Sequence, residues 1–270
     1  MLDDLFNPLY APLPDSGKYL ERIGLKPIQK ADKETLSRLV LAHQRTVPFE
    51  NLDVYDANAD ILLGIPALYD KVVLRRRGGY CFELNAAFMA LLESLGYDCR
   101  PVAVRVVWHA TRFMPLSHRA TIVTIDGVRY FADVGFGGPS PQCALLLDDP
   151  GEQPSGGNVF VIDRGEDGTT VSRLVDGGKE KLLNFLETRF DPVDFLALNE
   201  YQAKNKNSLF NRERLLNRVT ETGSVTLGGN VLKIHSDGGT VEKTLETEAQ
   251  LRDALKEHFG IVVDFPLRMD

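Results

Sequence analysis

Residues 118–138 carry the sequence HRATIVTIDGVRYFADVGFGG, in which two β-branched runs flank the pair Asp126-Gly127. An Asp-Gly pair between alternating apolar residues is a strong signal for a tight β-hairpin turn. A two-residue loop pairs Ile125 with Val128 and thereby fixes the register of both strands. We therefore expect an antiparallel hairpin over this stretch.

The same register brings two polar side chains together. Continued along the strands, it sets Ala120 opposite Asp133, and His118 lies two residues before Ala120 on the same face of the sheet. Diagonal neighbours of this kind are about 7–8 Å apart between backbones, so their side chains can form a hydrogen bond. The apolar surroundings of Asp133 favour such a pair, because a buried carboxylate without a partner is costly. The alternative is a surface His–Asp pair without a catalytic role.

A second stretch with chemically reactive and charged residues, RRRGGYCFELN at residues 75–85, lies upstream at the predicted start of a helix. The pair Gly78-Gly79 permits the close approach of a ligand, and the positive end of the helix dipole favours the thiolate of Cys81. The alternative is a cysteine that packs in the core, as most lone cysteines do. If His118 and Asp133 approach this thiol, the three form a nucleophile, a base and a group that orients the base.

The three arginines at positions 75–77 have two interpretations. They could bind a phosphate group, or at least one of them could pair with a carboxylate such as Glu50 or Glu83 and brace the site. We favour the brace.

The order of predicted elements is helices, then strands, then a mixed tail. Apolar residues recur at helical spacing in residues 32–49 and again in residues 81–96, where Gly96 supplies a C-terminal cap. β-branched alternation then predicts strands, for example over residues 100–108 and 157–164. Residues 246–260 read as a closing amphipathic helix. This order indicates an α+β fold in about three layers.

Composition excludes several classes of function. A chain of 270 residues with 43% hydrophobic and 26% charged residues can bury a sizeable core. The net charge of −7 argues against nucleic acid as a main partner, and the absence of a long apolar run argues against a membrane span. Cys81, Cys99 and Cys143 form neither a disulfide framework nor a zinc-ligand pattern, so we expect no metal. The acidic, proline-broken N-terminus lacks the features of a signal peptide, which predicts a cytoplasmic protein.

On three motifs the sequence resembles the arylamine N-acetyltransferases. RGGYCFELN at residues 77–85 is similar to the family's segment around its catalytic cysteine, and HQRTVPFENLDVY at residues 43–55 is similar to its PFENL segment. Residues 118–138 are similar to its histidine strand and its DVGFG strand end. The motifs occur in the family's order, and weaker similarity extends along most of the chain.

The resemblance implies a fold and a division into three parts. It implies an N-terminal helical bundle that carries the nucleophile at residues 1–96. A central antiparallel β-barrel with the histidine and aspartate follows at residues 97–205, and a C-terminal α/β lid at residues 206–270.

The resemblance also implies an activity, with Cys81, His118 and Asp133 as the catalytic residues. The expected reaction is acetyl transfer from acetyl-CoA, a co-substrate, to the amino group of arylamines, arylhydrazines and N-hydroxyarylamines. It would follow a ping-pong course through an acetyl-cysteine. The sequence leaves the oligomeric state open between a monomer and a homodimer.

Six further residues take roles by resemblance alone. The acyl-acceptor pocket would be lined by two phenylalanines and a strand residue, and the coenzyme pyrophosphate would lie near glycines after the aspartate strand. The pocket residues are Phe49, Val106 and Phe136, and the glycines are Gly135, Gly137 and Gly138.

Two rival functions use the same features. A cysteine amidase, protease or transglutaminase-like hydrolase can use the same three side chains, and the PFENL and DVGFG segments are what favour acetyl transfer over it. A ligand-binding module with an inactive site is the second rival, and it predicts a Cys81 no more reactive than Cys99.

Overall fold

The computed structural model describes residues 2–269 and, within them, combines nine α-helices with thirteen strands. The helices are α1 (Leu2–Phe6), α2 (Ser16–Arg22), α3 (Lys33–Thr46), α4 (Leu52–Tyr55), α5 (Ile65–Tyr69), α6 (Cys81–Ser94), α7 (Phe195–Lys204), α8 (Leu209–Arg212) and α9 (Glu248–Ala254). The strands are β1 (Phe49–Glu50), β2 (Asp98–Val106), β3 (His118–Ile125), β4 (Val128–Ala132), β5 (Leu145–Leu146), β6 (Gln153–Ser155), β7 (Asn158–Gly165), β8 (Gly168–Val175), β9 (Gly178–Phe185), β10 (Leu215–Val219), β11 (Ser224–Gly228), β12 (Val231–Ser236) and β13 (Gly239–Thr244).

The N-terminal helices begin where the sequence supplies caps. The Asp15 carboxylate accepts from the Lys18 N–H at the start of α2, and Asp32 does the same for Thr35 at the start of α3. Helix α6 is the central helix of this region and is buried over its first twelve residues. A helix buried on all sides needs a mostly apolar surface, which matches its sequence apart from the buried polar residues Glu83 and Asn85.

Eight strands form an antiparallel sheet in the order β5-β4-β3-β2-β9-β8-β7-β6. Its inner face encloses a core of aliphatic and aromatic side chains, so the sheet is barrel-like. The expected combination of helices with an antiparallel, barrel-like sheet is confirmed in this coarse form.

The predicted hairpin is confirmed as β3 and β4, which lie near the β5 edge of this sheet. Asp126 and Gly127 both have positive φ, 51° and 79°, as a two-residue turn of this type requires. The register pairs Ile125 with Val128 as expected, but the ladder ends at Ala132. Asp133 therefore lies just beyond the strand rather than opposite a residue of β3.

Five strands were not expected from the sequence, namely β1, β5, β6, β9 and β10. Strand β9 lies in the middle of the eight-stranded sheet, between β2 and β8. Strand β1 comes from the helical part of the chain, yet it pairs with β10 and forms one edge of a second sheet, in the order β1-β10-β11-β12-β13. The C-terminal sheet thus includes two residues from near the start of the chain.

A separate hydrophobic core lies between this second sheet and α9 and includes Leu216, Leu232 and Leu251. Within the part of the chain that the structure describes, no helix is long and apolar enough to cross a membrane.

Candidate active site

Cys81 is the first residue of α6, and only 2% of its surface is exposed. The chain segment after β4 packs directly over it. A Cβ atom at Gly135 would lie 2.8 Å from the Cys81 Cα, closer than side chains tolerate. Only glycine therefore lets this segment approach the start of α6.

His118 and Asp133 form a buried hydrogen-bonded pair beside this cysteine. The Nε2 atom of His118 lies 2.6 Å from the Asp133 Oδ2 atom, and both side chains are almost fully buried. Burial on its own would lower the pKa of His118, but the charge of Asp133, followed by that of Cys81, outweighs this effect and raises the pKa to about 10. An imidazolium is thus favoured at neutral pH.

The thiol lies next to the start of β3. The Cys81 Sγ atom is 3.8 Å from the carbonyl oxygen of Ser117, the residue before His118. A hydrogen bond to Cys81 also contributes to the raised pKa of His118. Because Nε2 of the ring is engaged with Asp133, Nδ1 is the nitrogen that remains for the thiol.

Asn85 links these elements through its side-chain amide, and no role for it was predicted from the sequence. Its Nδ2 donates to Asp133 Oδ1 at 2.9 Å and to the carbonyl oxygen of Arg119 at 2.6 Å. Its Oδ1 accepts from the Val134 N–H. Asn85 lies one helical turn after Cys81, and this spacing of four residues is the signal that could have placed the two on one face.

The pair Gly78-Gly79 has a different role from the one we expected. A Cβ at Gly78 would lie 2.0 Å from the Pro48 carbonyl oxygen, and one at Gly79 would lie 2.7 Å from a Glu83 carboxylate oxygen. The space beside both glycines is filled by protein, so they admit neighbouring chain rather than a ligand.

The expectation that an arginine of the 75–77 stretch pairs with Glu50 or Glu83 is confirmed. Arg77 donates from Nε and Nη2 to Glu50 Oε1 at 3.0 and 2.7 Å, and from Nη2 to Asp53 at 2.7 Å. Arg75 instead pairs with Asp70 on the surface.

The buried ion cluster continues to the start of α6. Lys71 lies 2.7 Å from both Asp53 and Glu83, and Glu83 accepts from the Tyr80 N–H. Burial raises the pKa of Glu83, and Lys71 opposes that rise. Burial also disfavours the charged form of Asp53, but Lys71 and Arg77 lower its pKa to about 2. The cluster fixes the first turn of α6 through Glu83, which binds both Lys71 and the Tyr80 N–H.

The aromatic residues assigned by resemblance lie near the thiol and the imidazole. The Phe136 ring is 5.9 Å from the His118 ring in an edge-on contact, and a Cβ at Gly137 would meet the Phe49 ring. Val106 lies at the end of β2, two residues after Val104, which is opposite His118. Val106 and His118 therefore share a face of the sheet.

The three glycines assigned to the coenzyme by resemblance, Gly135, Gly137 and Gly138, have different surroundings. The Gly135 N–H donates to Asp133 Oδ1 at 2.8 Å, so this backbone donor is already engaged by the Asp133 carboxylate. Gly137 accepts at its carbonyl from Asn217 of β10. A Cβ at Gly138 would approach the rings of Phe136 and Trp108.

The other two cysteines lie elsewhere. Cys99 and Cys143 are half-buried free thiols, and burial raises the pKa of Cys99. Over residues 2–269 no group of three or more histidine, cysteine or acidic side chains is arranged to hold a metal ion.

Known proteins match this chain over most of its length. The family described as N-acetyltransferase matches residues 32–268. The arylamine N-acetyltransferase of Mycobacterium bovis is 34% identical over 261 residues, which cover 92% of this chain and 90% of that protein.

Solved structures of related proteins have the same fold as this chain. The arylamine N-acetyltransferase from M. tuberculosis superposes with a TM-score of 0.86 at 34% identity, over 92% of this chain and 94% of that one. The Mycobacterium marinum arylamine N-acetyltransferase in complex with CoA gives a TM-score of 0.86 at 33% identity, over 92% and 93% of the two chains. The family match over residues 32–268 includes every element that forms the site.

Proposed function

Because this chain belongs to the arylamine N-acetyltransferases, a family of acyltransferase enzymes, we propose that it acetylates arylamines, arylhydrazines and N-hydroxyarylamines from acetyl-CoA. The observation that carries the proposal is the position of Cys81 at the start of α6, beside the buried His118–Asp133 pair. Acetyl-CoA is a substrate in this scheme, and the M. marinum relative in complex with CoA supports the choice of donor.

In the first half-reaction the Cys81 thiolate attacks the carbonyl carbon of the acetyl thioester. A C–S bond to Cys81 forms, the C–S bond to the coenzyme breaks, and the leaving coenzyme thiolate takes the proton of the His118 imidazolium. The products are acetyl-Cys81, neutral His118 and free coenzyme thiol. One thioester replaces another, so this step is expected to be reversible.

In the second half-reaction the amine nitrogen attacks the acetyl carbon of acetyl-Cys81. The C–N bond forms, His118 takes the proton that the nitrogen loses, and the Cys81 thiolate leaves. The starting imidazolium–thiolate pair is thereby restored. An arylamine suits this step because its nitrogen is largely unprotonated at neutral pH.

Two features of the site support these proton positions. The Asp133 charge favours the imidazolium, and the hydrogen bond at Nε2 directs Nδ1 towards the reacting atoms. The first N–H groups of α6 are candidates to stabilise the oxyanion, because the opening turn of a helix lacks internal acceptors for them.

We also propose substrate contacts, from the family resemblance and from the positions of these residues near His118. Phe49, Val106 and Phe136 would line the acceptor pocket, since Phe136 touches the His118 ring. Gly137 and Gly138 would approach the coenzyme. Gly135 is better explained by its packing against Cys81 and its hydrogen bond to Asp133.

We also propose that residues 1–96, 97–205 and 206–270 act as three structural parts, the last as a lid over the site. Two contacts support the lid. Asn217 donates to the Gly137 carbonyl at 2.7 Å, and the Phe210 ring lies 6.1 Å from the Phe49 ring.

Mass spectrometry of the full chain after incubation with acetyl-CoA tests the function. We expect one acetyl group on Cys81 and none on Cys99 or Cys143, and we expect an added arylamine to remove it. The Cys81→Ala variant is the matched control and should stay unmodified. Cleavage of peptides or deamidation of glutamine without acetylation of Cys81 would instead favour the hydrolase, and converging double-reciprocal plots would contradict the ping-pong course.

A further inference from the structure

A cavity of about 420 Å³ lies beside α6. Its walls come from α6, from β2 and β3, from the N-terminal segment and from residues 189–192. Cys81, His118 and Asp133 do not line it. Its volume falls within the range of about 300–1,000 Å³ that is typical of small-molecule sites.

Arg119 forms the charged part of this wall. Only 2% of its surface is exposed, and its Nε has no hydrogen-bond partner. Its guanidinium contacts the Met89 sulfur, 3.8 Å from Nη2, and the Phe195 ring, 4.7 Å from Cζ. Throughout the described stretch of 2–269, no carboxylate forms an ion pair with it.

The remaining charges around the cavity compensate this cation only in part. Arg100 pairs with Glu187 and Arg189 with Asp191, each in the more exposed part of the wall. Glu93 is exposed to solvent and acts on Arg119 only through its charge. Burial lowers the pKa of Arg119 to about 10, and the charges of Glu93 and then Cys81 oppose that effect. Arg119 is therefore still a cation at neutral pH.

A buried guanidinium without a carboxylate partner is unusual, because the cost of removing the charge from water is not recovered. Ala86, Met89 and Phe190 form an apolar part of the same wall. This combination suits a ligand with an apolar body and one anionic group. Arginine binds a carboxylate with two parallel hydrogen bonds, which fits that group.

We propose that this cavity is a binding site for a small aliphatic or aromatic carboxylate, whose anionic group pairs with the buried Arg119. The site is distinct from the candidate active site and does not depend on the acetyl-transfer proposal. Alternation along β3 explains the separation, because His118 and Arg119 are consecutive residues and project to opposite faces of the sheet.

Titration calorimetry of the full chain with hexanoate and with hexanol tests the charge. We expect hexanoate to bind at least about tenfold more tightly than hexanol, because a hydrogen bond to a charged group is the difference between them. This comparison needs no variant. Equal affinities for the two probes, or no binding of hexanoate at millimolar concentrations, would overturn the proposal.

A matched pair of variants tests the residue. Arg119→Met should reduce hexanoate binding about tenfold or more, and Arg119→Lys should retain part of it. Arg218→Met is the control, because the Arg218 Nε is also buried without a partner but Arg218 does not line the cavity. Wild-type affinity in a folded Arg119→Met protein would contradict the assignment.

Alkylation with N-ethylmaleimide, mapped by peptide mass, locates the bound probe. Cys99 lines the cavity, so hexanoate should slow the labelling of Cys99 and leave that of Cys81 unchanged. Protection confined to Cys81 would place the probe in the candidate active site and reject the proposed one.

Discussion

At the scale of single residues, the Asp133 carboxylate accepts hydrogen bonds from His118, Asn85 and the Gly135 N–H. We expect Asp133→Asn to lower kcat/KM for acetyl transfer by roughly 10³-fold or more. An amide lacks the charge that stabilises the imidazolium, so the thiolate loses its cationic partner. Steady-state kinetics and the rate of Cys81 alkylation at neutral pH both measure the effect.

Asp148→Asn is the matched control for this variant. Asp148 is a partly exposed carboxylate that pairs with Arg129 at the surface, so its removal should leave both rates near the parent values. A normal rate of transfer in Asp133→Asn would show that the pair is structural only.

His43 provides a prediction about pH and stability. It is fully buried between Tyr19 and Phe88, with Nε2 at 3.0 Å from the Tyr19 hydroxyl. Burial, assisted by the charge of Arg22, lowers its pKa to about 3. The native state keeps His43 neutral, whereas the unfolded chain binds a proton below about pH 6.5. Stability from this group is therefore present above pH 6.5 and is lost as the pH falls.

We expect the free energy of unfolding to fall by about 2 kcal/mol more between pH 7.5 and pH 5 in the parent than in His43→Gln. Urea titrations at both pH values measure it. Any constant loss of packing in the variant cancels from the comparison, and equal pH dependence in the two proteins would refute the prediction.

The sequence predicts local side-chain pairs better than distant ones. The His118–Asp133 hydrogen bond was predicted from one turn and the register of two strands, although Asp133 lies one residue beyond the end of the β3–β4 ladder. The approach of Cys81 to this pair depends on how α6 packs against β3. No local sequence pattern specifies that packing, so the prediction that Cys81 joins the pair rested on the family resemblance. Asn85 and Arg119 went unnoticed because their roles exist only once helix and sheet are packed together.

At the scale of elements, the β3–β4 hairpin depends on the backbone freedom of its turn. Gly127 has φ of 79°, and a Cβ atom added to it would meet no other atom within 4 Å, so strain alone opposes a substitution there. We expect Gly127→Ala to lower the free energy of unfolding by about 1 kcal/mol. Urea unfolding measures it.

Gly165→Ala is the control for the turn. Gly165 also has open space around it but no positive φ, so the variant should have nearly the parent stability. If both variants lose the same free energy, backbone conformation at the turn is not the cause.

Two of the strands that were not expected, β9 and β1, show what a local sequence pattern does not specify. Strand β9 begins Gly178-Lys-Glu-Lys, a polar run without apolar alternation, and only its second half is buried. Strand β1 has two residues, too few for any period to appear. Pairing with a distant partner, rather than propensity, makes both of them strands.

At the scale of the whole molecule, Asn51 joins the N-terminal region to the C-terminal sheet. Its Nδ2 donates to the carbonyls of Phe210 and Glu213, and its Oδ1 accepts from the Leu215 N–H. Asn51→Ala removes three hydrogen bonds, so we expect a loss of about 2 kcal/mol or more. Hydrogen exchange should become faster in β10 while β3 keeps its protection.

Protection of β10 equal to that of the parent would show that β1 pairing alone holds the sheet. Asn158→Ala is a suitable control, because the Asn158 side chain makes local contacts at the exposed start of β7. It should leave exchange in β10 unchanged.

The β1–β10 ladder pairs Phe49 with Asn217, residues that leave the ribosome far apart in time. The chain emerges N-terminus first, so Phe49 is available long before its partner strand has been made. Pairing across such a sequence separation also slows folding, because a large loop must close before any contact forms. The proposed acceptor pocket around Phe49 is therefore completed only near the end of synthesis, and a nascent chain that stops before β10 holds all three proposed catalytic side chains without a finished pocket.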